Sequence, residues 1–467
     1  MHILAQMKSN QTIKSNKMNK KIGIISLGCA KNLINTEQMM FLLTQAGFKV
    51  SGETENVDAV VINTCGFIDA AKIEAIDTIL EIADAKAQGL VKKLVVAGCL
   101  SQRYKDEILH DMPEIDAVIG TGSYDEIVTA VLRIFNGEEN VAIFDDINRE
   151  ISEVERVITA SAAWAYVKIA EGCDNHCAYC VIPSLRGKFR SRSMDNIYKE
   201  VKKLAESGVK EVILVAQDLT RYGYDLYGES KLADLLELLS DISELEWIRL
   251  HYLYPDDIDE KLVDIIVKKE KILKYLDIPI QHINSGVLKK MNRRGSCEEI
   301  IALFKYLRSA IPGLVIRTSL IVGLPGEGDE QFEELACFLQ DAKIERVGLF
   351  AYSPEDGTAA ALMNRPESET VRRRIELLEN IQSRIMDEYN ISRIGQTVKL
   401  LVEGEENGRF YGRTYAESPE VDGYVIITGE KLVIGEMCCA LITEIEDGQL
   451  VSNICGRGEE INGIEYS

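Results

Sequence analysis

The first third of the chain alternates short apolar runs with amphipathic segments. The runs KIGIISLGC, DAVVINTCG and KLVVAGC are rich in Val and Ile and are typical of buried strands. Between them, apolar residues recur at helical spacing over residues 34–46 and 70–87. This alternation predicts βαβ units, and therefore an α/β domain with a parallel sheet over residues 21–148.

A polar, charged stretch at 145–155 predicts a linker, after which the alternation resumes. Six strands are predicted, at 165–170, 211–216, 247–252, 275–280, 314–323 and 345–352. Helical patterns separate them, and a long charged amphipathic helix follows over 368–393. The pattern predicts a parallel barrel, or part of one, in a second domain over residues 160–394.

The two ends of the chain have different patterns. Residues 395–462 contain short strands divided by Gly and charged turns, which predict a small all-β barrel. Residues 1–20 are polar and basic, without apolar periodicity, and predict a disordered tail.

Composition narrows the class of protein. The chain has 467 residues with 46% hydrophobic and 27% charged positions, no apolar run long enough to cross a bilayer, and no signal-peptide core. We therefore expect a cytoplasmic protein that does not associate with membranes. The net charge of −22 disfavours a dedicated nucleic-acid binder, which would show a basic footprint, and favours a basic partner.

Three of the eleven cysteines form a C-x3-C-x2-C array at Cys173, Cys177 and Cys180. Closely spaced thiolates on one loop can hold one face of a four-iron cluster and leave its fourth iron open to a small molecule. Structural zinc, with His176 as a fourth ligand, and plain burial are the alternatives, although zinc commonly uses paired C-x2-C motifs. For His176 itself, the position predicts a solvated loop residue.

Three other cysteines each follow a predicted strand. Cys29, Cys65 and Cys99 lie at the same phase of three βα units, and parallel strands end on the same edge of a sheet. The adjoining Gly28, Gly66 and Gly98 would let the backbone approach a bulky ligand. Convergence on a second metal cluster is the functional interpretation, and three separate buried thiols are the alternative.

The Cys173–Cys180 array, with Tyr179 before its last cysteine, resembles the radical S-adenosylmethionine signature. The segment IVGLPGE at 321–327 looks like the cofactor-supporting strand and turn of that superfamily. The resemblance implies a partial (β/α)6 TIM-like barrel and cleavage of S-adenosylmethionine to a 5′-deoxyadenosyl radical. The expected cofactor-binding residues are Tyr179, Gln217, Gly323, Pro325 and Gly326. Gln217 and Asp218 equally suit a polar cap at a strand end.

The strings GCAKN, NTC and GCL around Cys29, Cys65 and Cys99 resemble the N-terminal domain of the methylthiotransferase family. This resemblance implies a second 4Fe-4S cluster on these cysteines, a C-terminal TRAM domain, and no catalytic residues beyond the cluster ligands. Departures from the family pattern are Ala30, Ser193 and Gly328, and none is a predicted ligand.

Within this family, one branch modifies an aspartate of ribosomal protein twelve of the small subunit and another modifies tRNA adenosines. The strings SLGCAKN at 26–32 and CVIPSLRG at 180–187 favour the first branch. The expected substrate is then a basic ribosomal protein, modified at the aspartate β-carbon, without direct tRNA binding. A flavodoxin or ferredoxin is the expected type of electron donor.

Some alternatives stay open at this stage. Arg186, Lys188, Arg190 and Arg192 form a basic run that could guide an acidic group, although most such runs are solvated faces. A non-catalytic iron–sulfur electron carrier would not need the long parallel barrel. A zinc-stabilised nucleic-acid-binding protein would be colourless, whereas the cluster enzyme would be brown.

Overall fold

The computed structural model describes residues 20–429 and 432–455, which form two compact units. The first contains the chain up to Thr159 together with Glu171–Asn175 and Cys180–Arg190, and the second contains the remainder. The predicted tail over 1–20, apart from Lys20, and residues 456–462 of the predicted C-terminal domain lie outside the described residues.

The first unit is built on six parallel strands in the order β2-β1-β3-β4-β5-β6, which confirms the predicted α/β class. The strands are β1 (Lys21–Ser26), β2 (Lys49–Ser51), β3 (Ala59–Thr64), β4 (Leu94–Gly98), β5 (Ala117–Ile119) and β6 (Val141–Ile143). The helices are α1 (Ala30–Gln45), α2 (Asp69–Ala87), α3 (Cys99–Tyr104), α4 (Asp106–Asp111) and α5 (Ile127–Phe135).

Hydrophobic side chains project from both faces of this sheet, as expected for parallel strands covered by helices on each side. In β3, Val61 packs in one core with residues of α1 and α5, while its neighbour Ile62 packs in a second core with residues of α2. The register pairs Ile24 with Val61 and Ile62 with Val96, so β1, β3 and β4 end side by side.

The residues just past the predicted linker at 145–155 contact α1 of the first unit. The carboxylate of Glu37 in α1 is buried and accepts hydrogen bonds from the Thr159 amide (2.7 Å) and the Thr159 hydroxyl (3.0 Å). Arg156 donates to the same carboxylate at 2.5 Å. A buried carboxylate needs such partners, so α1 holds the end of this polar stretch in place.

The second unit contains six parallel strands in the order β14-β13-β12-β11-β10-β7, the partial barrel that the radical S-adenosylmethionine resemblance implies. The strands are β7 (Trp164–Lys168), β10 (Glu211–Val215), β11 (Trp247–Leu250), β12 (Ile272–Asp277), β13 (Val315–Val322) and β14 (Arg346–Ala351). Two short strands, β8 (Ala170–Glu171) and β9 (Arg190–Ser191), flank the C-x3-C-x2-C loop and pair with each other.

Helices connect the strands of the partial barrel and the segments around it. Those of the second unit are α7 (Met194–Glu206), α8 (Tyr224–Tyr227), α9 (Leu232–Ser240), α10 (Glu260–Lys268), α11 (Ser285–Lys290), α12 (Cys297–Ala310), α13 (Asp329–Ala342) and α14 (Ser368–Ser392), whereas α6 (Ile182–Arg186) belongs to the first unit. Ser193 caps α7 by accepting a hydrogen bond from the Asn196 amide, so this departure from the family pattern has a structural use. None of the helices in the described part of the chain combines the length and apolar content of a membrane span.

A closed five-stranded barrel follows α14, as predicted. Its strands are β15 (Thr397–Glu406), β16 (Arg409–Arg413), β17 (Val425–Thr428), β18 (Met437–Glu446) and β19 (Gln449–Ile454), joined in the order β15-β16-β17-β19-β18. Its core is aliphatic and contains Leu400, Val402, Val425 and Ile442. Closure removes the exposed edges that a five-stranded sheet would otherwise present.

The loop at 414–424, between β16 and β17, covers the N-terminal ends of the six parallel strands, and we call it the base loop. The hydroxyl of Tyr275 donates to Asp422 (2.5 Å), Tyr166 donates to Glu420 (2.7 Å), and Arg346 pairs with Glu417 (3.0 Å). The base loop and Arg413 just before it are within hydrogen-bonding or ion-pairing distance of one side chain from each of the six strands, which are Tyr166, Glu211, Arg249, Tyr275, Arg317 and Arg346. The small barrel therefore closes one end of the larger one.

Candidate functional site

The parallel sheet of the first unit brings Cys29, Cys65 and Cys99 to one edge. Cys29 immediately precedes α1, Cys65 directly follows β3, and Cys99 opens α3 directly after β4. They are close enough that the charges of Cys29 and Cys99 both influence the pKa of the Cys65 thiol. This edge is where loops of parallel α/β sheets form ligand sites.

Glycines beside these cysteines allow the loops to approach each other. Gly28 has φ +89°, and a Cβ there would lie 2.7 Å from the Cβ of Cys65. A Cβ on Gly66 would lie 2.9 Å from the Cα of Leu100. The sequence predicted that these glycines let the backbone approach a bulky ligand. In the structure, they let the cysteine loops contact each other.

Burial raises the pKa of two of the three thiols, whereas for Cys29 the opposing effect of Lys31 and Arg186 outweighs burial and lowers the pKa. Burial, with the nearby Cys99 charge, raises the pKa of the half-buried Cys65 to about 11. Burial also raises the pKa of Cys99, against the opposing effect of Arg186. Loss of thiolate hydration disfavours the charged form, and a bound cation would offset that cost.

Asn32 connects two of the cysteine loops. Its amide nitrogen donates to the carbonyl oxygens of Leu27 (3.0 Å) and Thr64 (2.9 Å), and its Oδ1 lies 3.8 Å from the sulfur of Cys99. Asn63 in turn donates to the carbonyl of Asn32 at 2.8 Å. Because both amide hydrogens of Asn32 are used, its oxygen is fixed toward Cys99.

Arg186 lies beside the same cysteines, in the first unit. It is 3% exposed, so its interpretation as part of a solvated face is wrong. Its guanidinium contacts Glu171 at 3.1 Å, the sulfur of Cys99 at 3.3 Å, and the amide oxygen of Asn32. The solvated interpretation holds for Lys188, which is exposed.

Local packing buries Arg186. It ends α6, whose Leu185 packs with Val181, Phe67 and Cys99. The Thr121 hydroxyl also donates to the carbonyl of Leu185 at 2.5 Å. The packing of Leu185 and Val181 against Cys99 therefore places the charged side chain of Arg186 beside the three cysteines.

The C-x3-C-x2-C loop divides between the two units. Within the first, the Cys173 amide donates to the carbonyl of Gly187 (3.1 Å), and the Asn175 amide donates to the Cys173 sulfur (3.4 Å). Cys180 belongs to the same unit and directly precedes the segment that packs on Cys99.

Cys177 and Tyr179 belong to the second unit. The guanidinium of Arg293 lies 3.9 Å from the sulfur of Cys177 and over the ring of Tyr254, 4.2 Å from its centroid. The Ala178 amide donates to the carbonyl of Met291 at 2.8 Å. Tyr179 is buried, whereas His176 is exposed, as expected for a solvated loop residue. The sequence gives no local signal for Arg293, because its cysteine partner is distant along the chain.

The predicted cofactor turn lies at the C-terminal end of β13. Glu327 shapes it by accepting the Gly323 amide (2.9 Å), and its other carboxylate oxygen pairs with Arg374 of α14 (2.7 Å). Pro325 is buried and Gly326 is exposed. A buried, paired carboxylate fixes the turn rather than meeting a ligand.

Gln217 and Asp218 lie just past the C-terminal end of β10, at the same end of the barrel as this turn. Gln217 is half-buried, and Asp218 is buried and accepts a hydrogen bond from the Thr220 hydroxyl at 2.6 Å. This end of a β/α barrel carries the functional loops.

The donor chemistry of both cysteine triplets fits a cluster. Within residues 20–429 and 432–455, no three His, Cys, Asp or Glu side chains are placed closely enough to hold a single metal ion. Each thiolate of a four-iron cluster binds a different iron, so a cluster does not require ligands gathered around one point. Nearby guanidinium groups suit the negative charge of such a site.

Three family models match the chain. Residues 167–339 match the radical SAM superfamily, residues 21–120 match the uncharacterized protein family UPF0004, and residues 394–454 match the TRAM domain. The solved structure of the radical S-adenosylmethionine methyltransferase TsrM from Kitasatospora setae is similar in fold, with a TM-score of 0.55 at 14% identity over 74% of this chain and 77% of that one.

Curated relatives match nearly the whole length. The ribosomal protein uS12 methylthiotransferase RimO of Acetivibrio thermocellus is 45% identical over 94% of this chain and 99% of its own. The protein of the same name from Caldicellulosiruptor saccharolyticus is 44% identical over 93% and 99%. These relatives confirm the methylthiotransferase resemblance and favour its ribosomal-protein branch over the tRNA branch. The chain belongs to the RimO family of ribosomal protein uS12 methylthiotransferases.

Proposed function

We propose that this protein is a radical S-adenosylmethionine enzyme that adds a methylthio group to the β-carbon of an aspartate in ribosomal protein uS12. The observation that carries the proposal is the meeting of Cys29, Cys65 and Cys99 at one sheet edge. Cleavage of S-adenosylmethionine needs only the Cys173, Cys177 and Cys180 triplet, so a separate thiol site indicates a further task.

Each cysteine triplet would hold one 4Fe-4S cluster. When bound, the cluster on Cys173, Cys177 and Cys180 supplies the electron that cleaves S-adenosylmethionine, and the auxiliary cluster on Cys29, Cys65 and Cys99 supplies the sulfur site. The turn at Gly323–Glu327, with Tyr179, Gln217, Pro325 and Gly326, would position S-adenosylmethionine. The protein's own contribution is to fix these groups and exclude water.

The charge of the chain supports a basic protein substrate. Residues 396–467 contain five Lys or Arg and fourteen Asp or Glu, a net charge of −9. Such a domain repels phosphate backbones and attracts a basic ribosomal protein. We therefore propose that the substrate is the protein and not tRNA. A flavodoxin or ferredoxin would supply the electrons, since both transfer them singly.

The assignment of the two triplets is tested by two triple variants. Replacing Cys173, Cys177 and Cys180 with Ala should remove about half of the iron and abolish cleavage of S-adenosylmethionine. Replacing Cys29, Cys65 and Cys99 should also remove about half, spare the cleavage and end methylthio transfer. Full iron content in the second variant would contradict the auxiliary site.

The substrate is tested by offering the cluster-loaded enzyme both uS12 and unmodified tRNA, with mass spectrometry of each. We expect the methylthio mass increase on uS12 alone. Modified tRNA with unchanged uS12 would overturn the substrate and leave the reaction class intact.

A further inference from the structure

Arg186 is a buried charge with an unusual set of partners. Burial of a cation is costly unless it is paired and hydrogen-bonded, and Glu171 supplies the ion pair at 3.1 Å. The other end of the guanidinium faces a cysteine sulfur, 3.3 Å away, and the oxygen of Asn32. A purely structural ion pair would not need to end on a predicted cluster ligand.

The hydrogen-bond count explains this geometry. The outer nitrogen of Arg186 that faces Cys99 carries two hydrogens, and it has two acceptors among the described residues, the Asn32 oxygen and the Cys99 sulfur. Asn32 cannot rotate away, because its amide nitrogen donates to Leu27 and Thr64. The second hydrogen of Arg186 is therefore directed at sulfur.

The two charged residues flank the other cysteine triplet in the sequence. Glu171 precedes Cys173, and Arg186 follows Cys180. Both belong to the first unit, with Cys29, Cys65 and Cys99. The segments on either side of the C-x3-C-x2-C loop thus supply the charges that surround the other three cysteines.

We infer that Arg186 is a positioning residue that donates a hydrogen bond to the cysteinyl sulfur of the auxiliary cluster and raises the reduction potential of that cluster. The inference rests on the proposed function, which makes Cys99 a cluster ligand. Hydrogen bonds to the sulfurs and nearby net charge set the potential of an iron–sulfur cluster. Reduction adds negative charge, so a cation at the sulfur favours the reduced state and Glu171 opposes it.

The test uses the full-length Cys173, Cys177 and Cys180 triple Ala variant, in which only the auxiliary cluster remains. Its midpoint potential is measured by an anaerobic redox titration followed by electron paramagnetic resonance. Arg186→Met should lower the potential, with a tenfold change in the reduction equilibrium corresponding to about 59 mV for one electron. Glu171→Gln should raise it, because the guanidinium charge is then less compensated. Lys188→Met, an exposed cation of the same run, should leave it unchanged.

Three outcomes separate the inference from the proposed function. Opposite shifts in the Arg186 and Glu171 variants support the inference. An intact cluster whose potential moves in neither variant overturns it while the ligand assignment stands. A background protein that binds no iron overturns the ligand assignment and the inference together. If Arg186→Met does not fold, Glu171→Gln and the double variant Arg186→Met with Glu171→Gln, which buries no unpaired charge, still decide the question.

Discussion

Arginine side chains are buried both at the base of the large barrel and beside the cysteines of the first unit, and their partners differ. At the base of the large barrel, Arg249 and Arg413 share the carboxylate of Glu211, each at 2.6 Å. Nearby, Glu417 pairs with Arg346 and Arg393. Among the described residues, the hydrogen-bond and ion-pair acceptors of these four arginines are oxygen atoms.

In the first unit, Arg186 has one carboxylate, one amide oxygen and a cysteine sulfur. Both regions satisfy the requirement that buried charges be paired. Of these two regions, only the one around Arg186 directs a charge at a predicted metal ligand. The identity of the last acceptor, rather than burial itself, therefore separates a structural arginine from one that affects chemistry. Variants in the two regions should therefore change different observables.

The largest effect on stability is expected at Glu211, which is fully buried between two cations. Glu211→Gln leaves Arg249 without a counter-charge, while Arg413 keeps its ion pair with Glu403 (2.5 Å). It should cost about 3–5 kcal/mol, because removing one partner of a buried pair leaves an uncompensated charge. Anaerobic urea denaturation measures this loss. The exposed Glu388, paired with Lys343 at 2.8 Å, is the matched control, and Glu388→Gln should change little.

The comparison fails if Glu211→Gln shifts the potential of the auxiliary cluster as much as Glu171→Gln does. We expect no such shift, because the Glu211 carboxylate contacts Arg249 and Arg413 and, among the described residues, no cysteine.

A somewhat smaller effect is expected from acid at Glu417. The pKa of its carboxyl is lowered from 4.5 to about 2, because Arg393 and Arg346 outweigh the burial that would raise it. Its contribution to stability is therefore complete above about pH 4.5 and is lost as the pH falls toward 2, by about 3 kcal/mol. Denaturation midpoints of cluster-free wild type and Glu417→Gln should converge over this range. A gap that stays constant down to pH 2.5 would contradict the prediction.

The smallest of the three effects is expected at Asn32. Asn32→Ala leaves the carbonyls of Leu27 and Thr64 without this donor and should cost about 1–3 kcal/mol. The loss should appear as faster release of auxiliary iron to a chelator, measured in the Cys173, Cys177 and Cys180 triple Ala variant. Asn136→Ala, at an exposed helix end, serves as the control. Equal iron release in both variants would show that Asn32 does not hold the cysteine loops.

Periodicity predicted the strands well because parallel strands are buried on both faces and appear as continuous apolar runs. The meeting of Cys29, Cys65 and Cys99 followed from their common position after adjacent strands. Strand boundaries are predicted less accurately where an apolar run continues past the strand. The strand predicted at 275–280 lies at Ile272–Asp277 in the structure.

Other features were not readable from the sequence. The basic run around Arg186 alternates charged and neutral residues like a solvated face, and only the packing of Leu185 beside Cys99 buries its first member. Likewise, the polar residues of the base loop resemble an ordinary turn, whereas their carboxylates lie against side chains of the barrel strands. Burial of a charge depends on distant partners, so local composition does not predict it.

The base loop also has a consequence for synthesis of the chain. The sixth barrel strand ends at Ala351, whereas the base loop begins roughly sixty residues later. At about 5–20 residues per second, a ribosome needs about 3–12 s to add that segment. During this interval the nascent barrel has all six strands, but Tyr275, Arg346 and their neighbours await their carboxylate partners. The barrel is therefore completed only after the base loop has been synthesised, and until then a chaperone at the exit tunnel would meet an open barrel with an unfinished end.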